Sequence, residues 1–184
     1  MIRGDGPASP AANQPQASLN DPGQGPLDRR HLAVVINQSD PLSVRAGVGE
    51  GFRVRILRAD ALRNANDVMV YVTGLATVEG LASNRFRPGA VADHLTSYGG
   101  QLTPAGVPTE AGQMSALRWL EGGATGSYGT VVEPCSITAK FPDPALLMLF
   151  YRRGDTLIEA YWRSVAMPGQ GVFIGEPLAR PWQR

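Results

Sequence analysis

The side chains best suited to chemistry in this 184-residue chain are His94 and Cys135, with Asp93 and Glu133 close to them in sequence. A cysteine and a histidine make a hydrolytic pair because the imidazole removes the thiol proton and leaves a nucleophilic thiolate. A carboxylate from Asp93 or Glu133 could orient that imidazole, as the third member of a triad does. Against this stand the ordinary fates of the same residue types. A single cysteine is among the residues most often buried, and a histidine at a strand end commonly just bonds backbone. Ser97 is another possible nucleophile, but no G-x-S-x-G elbow surrounds it. Asp93, Glu133 and Glu176 could hold a divalent cation through oxygens, yet solvated carboxylates at strand ends are far commoner. The glycines of GEGFRV and SYGG lack phosphate-loop spacing, so no nucleotide site is expected. With one cysteine and two histidines, neither a cysteine-based zinc site nor a histidine-rich metal site can form, and no cofactor is expected.

These residues must be positioned by the stretch from Pro88 to Cys135. It reads PGAVADHLTSYGG, a Pro/Gly/Thr-rich loop, QMSALRWLEGG and ATGSYGTVVEPC, that is, strand, loop, amphipathic helix, strand. A helix between two apolar strands is a parallel crossover unit, and sites in such sheets lie at the carboxyl ends of the strands. Asp93, His94, Thr96 and Ser97 close the strand Ala90–Ser97. Glu133 and Cys135 follow the strand Gly126–Val132, which Pro134 ends. The helix Met114–Glu121 presents Met114, Leu117 and Leu120 or Trp119 on one face and stops at Gly122-Gly123.

Upstream, residues 1–30 are rich in Pro, Gly, Ala, Gln and Asn and cannot bury enough surface to offset their ordering entropy, so a disordered tail is expected. A single α/β domain is expected over 31–184. LAVVIN reads as a buried parallel strand, and FRVRIL, alternating apolar residues with arginine, as a strand near an edge. LSVRAGVGEG is too glycine-rich for a stable helix. Asp67–Gly74, DVMVYVTG, is apolar on both faces and is placed centrally in the sheet. Downstream, Asp143 with Pro144 starts a helix, Asp155 starts a second one packed through Leu157, Ile158, Tyr161, Trp162 and Val165, and Val172–Ile174 is a last short strand. About six strands and three helices, alternating after residue 67, point to a three-layer, mostly parallel α/β sheet.

The bulk composition narrows the function classes. A net charge of +1 without clustered basic residues gives no reason to expect nucleic acid as partner. No apolar run approaches the roughly 20 residues of a membrane helix, and no secretory signal precedes the domain, so a cytoplasmic location is expected by default. An unidentified protein or peptide remains the expected partner, with the oligomeric state open.

The phrases GAVADHLTSYGG, MSALRWLEGGATGSYGTVVEPC and GDTLIEAYWRSVAMPGQGVFIGEPLARP resemble an uncharacterised bacterial family found in genomes that carry the exosortase protein-sorting system. The resemblance covers Val68 to Pro181, with a shorter match at HLAVVINQSDPLSVR. An internal stretch of the family is missing near Ala46–Gly51, which implies a domain incomplete in its N-terminal half. More faintly, the same half is similar to gingipain-type cysteine peptidases of the caspase-like fold. In those enzymes one strand ends in His-Gly, the next ends in the catalytic Cys, and a helix and strand, a late "G-x-T-L-x-E-A" helix and a closing "G-D-P" follow. Here Gly74-Leu75 stands in place of His-Gly and Thr96-Ser97 in place of the Cys. SALRWLEGGATGSYGTVV, GDTLIEAYW and GEPL fit the remainder. The resemblance therefore implies a caspase- or gingipain-like α/β frame with vacant dyad positions. It also implies a non-proteolytic binding or accessory protein linked to bacterial export. The alternative is a cysteine hydrolase using Cys135 and His94.

Overall fold

The computed structural model of the chain describes residues 31–36, 52–57, 60–132 and 137–182, the first two segments by their backbone. The expected tail, the glycine-rich segment that follows the first strand and the proposed joint near 46–51 lie outside the described residues.

Six strands are described: β1 (His31–Ile36), β2 (Phe52–Leu57), β3 (Val68–Thr73), β4 (Phe86–His94), β5 (Gly126–Thr130) and β6 (Gly171–Gly175). They form one sheet in the order β2-β1-β3-β4-β5-β6. Neighbours are parallel from β2 to β5, and β6 runs antiparallel to β5. The sheet is thus mostly parallel. DVMVYVTG reads as central and is so, with all six residues of β3 buried. FRVRIL occupies an edge.

Strand β4 starts at Phe86, four residues before the Ala90 read from sequence. The early part contains Arg87, Pro88 and Gly89 and pairs with β3 through an irregular register between Val68 and Val70, so period and propensity both conceal it. The strand stops at His94, and the chain turns over Ser97–Gly100.

Three α-helices are described. Helix α1 (Leu117–Glu121) follows the long loop, and α2 (Pro144–Arg152) and α3 (Leu157–Ser164) pack on each other. Helix α1 is shorter than the expected Met114–Glu121 because the backbone before it is used elsewhere. Met114 N–H donates to Ala76 O and Ala116 N–H to Gly99 O, so this segment ties the loop to the sheet instead of winding. In α2 the Asp143 cap with Pro144 at the first position forms as read, the carboxylate accepting from Ala145 N–H and Leu146 N–H. The start of α3 differs. Thr156, not Asp155, is its N-cap, in a reciprocal capping box with Glu159.

The two faces of the sheet carry separate cores. One contains Val70, Val72 and Val91 with Leu147, Met148 and Tyr151 of α2 and Leu157, Ala160 and Tyr161 of α3. The other contains Val68, Tyr71 and Ala92 with Met114, Ala116 and Trp119 at α1. Helices on both faces of a parallel sheet give three layers. Leu157, Tyr161 and Val165 are buried as expected, but Trp162 departs from the expected packing face: it is 40% exposed, and Ala160 and Ser164 are buried instead.

Candidate functional site

The parallel pairing of β4 with β5 through α1 brings Asp93 and His94 to the carboxyl end of β4. Consecutive strand residues point to opposite faces, so these two side chains enter different cores. Asp93 does not orient His94.

His94 is buried on the α1 face and both of its ring nitrogens are engaged. Trp119 Nε1–H donates to His94 Nδ1 at 2.9 Å, and His94 Nε2 lies 2.6 Å from Met114 O. An indole N–H can only donate and a carbonyl can only accept, so the ring proton sits on Nε2 and the imidazole is neutral. Burial lowers its pKa to about 4, opposed by the Met114 bond. This is a structural histidine in its chemistry. It has no lone pair available to take a proton from a nucleophile.

Asp93 lies on the α3 face, fully enclosed. Its carboxyl accepts from Tyr128 N–H at 2.7 Å, Ser127 Oγ at 3.1 Å and Tyr161 Oη at 3.0 Å. All of these partners are neutral. Burial raises its pKa to about 7, and the bonds from Tyr128, Tyr161 and Ser127 lower it only in part. The same burial raises Tyr161 well above the usual phenol range and Tyr128 to about 12, so both hydroxyls keep their protons.

Beyond β4 the rim is filled by the chain itself. Thr130 Oγ1 donates toward Thr96 O at 2.7 Å and Ser97 O at 2.8 Å, and Gly100 N–H donates to Thr130 O. Gly100 and Gly129 touch backbone to backbone: a Cβ on Gly100 would lie 2.2 Å from Gly129 O. Thr96 falls where the peptidase resemblance would place a nucleophile. Its hydroxyl is buried and has no hydrogen-bond partner among the described residues, so no base reaches it. Thr73, next to the other vacant position at Gly74-Leu75, is buried at the tip of β3 and its hydroxyl accepts from Leu75 N–H.

Glu133 and Cys135 lie outside the described residues. The segments flanking them are described, and there sequence reasoning missed Lys140. This is the only lysine of the chain, and it is buried, with Nζ 3.4 Å from Val132 O and over the Phe141 ring. Glu176 follows β6, where its carboxylate accepts from Leu178 N–H. Among the described residues no three His, Cys, Asp or Glu side chains gather as a metal would require, and no helix is long and apolar enough to cross a membrane.

No family model, curated protein or solved structure matches the chain.

Proposed function

We propose that this chain is a non-proteolytic binding or accessory protein on a caspase- or gingipain-like frame, linked to bacterial export or sorting. The observation that carries the reading is the His94 ring, held neutral between Trp119 and Met114 with neither nitrogen free. A cysteine peptidase needs an imidazole that can accept the thiol proton, and this one is committed to holding α1 and the rim loop on the sheet. The succession of β3, β4, α1, β5, α3 and a closing strand agrees with the order of elements in the peptidase resemblance. The residues at the two dyad positions, Gly74-Leu75 and Thr96-Ser97, agree with a frame that keeps its shape without that chemistry.

The test is the alkylation rate of Cys135 between pH 5 and 10 in the full chain, with and without His94→Gln. An ordinary thiol profile, with its midpoint in the usual range near 8.5 and unchanged by the substitution, is expected. A thiolate already formed at neutral pH and lost in His94→Gln would establish the hydrolase instead.

A further inference from the structure

Strands β4 and β5 are in register at a single pair, Val91 with Gly126. Toward their carboxyl ends they part. Tyr128 N–H, which a regular ladder would give to a backbone carbonyl of β4, meets the Asp93 carboxyl at 2.7 Å instead. Further along, the rim loop enters the gap: Gly100 N–H donates to Thr130 O, and a Cβ on Gly129 would lie 2.3 Å from Gly100 N. This seam of the sheet is closed by one side chain and a loop, not by the main ladder.

The titratable groups that face Asp93 are Tyr161 from α3 and Tyr128 from β5, and Tyr151 of α2 acts in turn on Tyr161. Strand β3 sets Val72 beside it, and β6 packs Phe173 on Tyr161. The charged side chains of these elements are engaged elsewhere. Arg163 pairs with Asp155, Glu159 bonds Thr156 and Arg180, and Lys140, past the end of β5, bonds Val132 O. No cation among the described residues offsets a charge on Asp93. We propose that the β4–β5 seam is a proton-operated latch, closed while the Asp93 carboxyl directs its proton to Tyr161 and opened to water at the rim when that proton is lost.

The hydrogen bonds define both states. In the closed form Asp93 Oδ1 accepts from Tyr128 N–H and Ser127 Oγ, so the carboxyl proton sits on Oδ2 and donates to Tyr161 Oη at 3.0 Å. The phenol hydrogen is then directed to Gly126 O, 3.5 Å away on β5. When the carboxyl proton leaves to water, the phenol hydrogen turns back to Oδ2, Gly126 O loses it, and the seam holds a negative charge among neutral donors. Water at the rim is the nearest relief, because side chains and a loop are all that close the strands there. The enclosed carboxyl titrates at about 7, against 3.8 for one in water, so opening grows as pH rises between these values and levels off above 7. His94, on the other face, keeps its bonds to Trp119 and Met114, so the opening is local.

Amide hydrogen exchange of the full chain, followed residue by residue from about pH 5 to 8 where reclosing outruns exchange, measures the latch. The Tyr128 amide is expected to exchange about a hundredfold faster for each pH unit up to about 7 and about tenfold per unit above it. One tenfold step is hydroxide catalysis and the other is opening. Amides of β3, which report whole-chain unfolding, rise only about tenfold per unit from about pH 5 to 6.5. Asp93→Asn, which keeps the Oδ1 acceptor and gives Tyr161 a permanent donor, is expected to bring Tyr128 down to the β3 slope. Tyr161→Phe keeps the steep slope and carries it past pH 7, because the charge-assisted bond lost from the ionised form is the stronger one. It reads the latch even if Asp93→Asn does not fold. A Tyr128 slope equal to that of β3, or a steep slope that survives Asp93→Asn, overturns the proposal. A steep window that ends at lower pH in Tyr161→Phe overturns the part given to Tyr161.

Discussion

Asp93 and His94 are adjacent in sequence and opposite in every physical respect. Each is neutral over part of the pH range where it would be charged in water, and their protons work against each other. Asp93 is raised from 3.8 to about 7 on folding, so between those values the folded chain holds a proton that the unfolded chain has lost. Its contribution to stability is full below pH 3.8 and disappears as pH rises to about 7. His94 is lowered from 6.5 to about 4, so there the unfolded chain holds the extra proton. Its contribution is full above 6.5 and disappears as pH falls to about 4. Each effect is on the order of 3 kcal/mol over its full range. They cancel from about pH 4 to 6.5, and a nearly flat stability profile is expected there, with a fall toward pH 7. Asp93→Asn uncovers the histidine, giving a chain whose stability climbs with pH up to about 6.5. His94→Gln uncovers the aspartate, giving a chain whose stability declines with pH up to about 7. Urea unfolding of the three proteins at half-unit pH steps reads these slopes, and parallel profiles for all three would contradict the assignment.

At the level of elements, the caps and glycine contacts decide how well the rim is held. Thr156→Ala removes one side of the capping box at α3 and is expected to cost about 1 kcal/mol. Asp143→Ala at α2 should cost a similar amount. The two caps bond different helix ends, so in denaturant melts the losses should approach additivity, within the coupling expected of helices that pack together. Gly100→Ala is a harsher change, since its Cβ would meet Gly129 O at 2.2 Å, and about 3 kcal/mol or more is expected. A melt within error of the unsubstituted chain would show that the rim loop does not lie against β5. Much of this level was legible beforehand. The alternation after residue 67, the apolar β3 segment and the Asp143-Pro144 start all carried local signals. The early part of β4 was hidden because Pro88 and Gly89 break the strand pattern. Helix α1 is shorter than its sequence suggests because Met114 and Ala116 look helical, although their backbone N–H groups donate to Ala76 and Gly99. The opposed directions of Asp93 and His94 follow from strand alternation alone. The Trp119 bond to His94 crosses 25 residues of sequence, and no local pattern announces it.

On the scale of the whole molecule, the sheet separates two cores, and Asp93 and His94 at the tip of β4 are bound into them, one on each face. The order of strands reverses between β1 and β3, and ligand crevices of parallel sheets open outside the carboxyl ends at such a reversal. A binding role on this frame is therefore expected to use surface at that end rather than the buried side chains of β4. Substituting Asp93 or His94 should change stability and leave partner affinity, measured on folded protein, within about twofold.

The most direct measurement is the nitrogen-15 spectrum of the His94 ring as pH is varied. One protonated nitrogen, Nε2, and one unprotonated nitrogen, Nδ1, are expected to persist without titration from neutral pH down to about 4. A ring that titrates near 6.5 or higher, or that carries its proton on Nδ1, would contradict the locked imidazole and the non-proteolytic reading built on it.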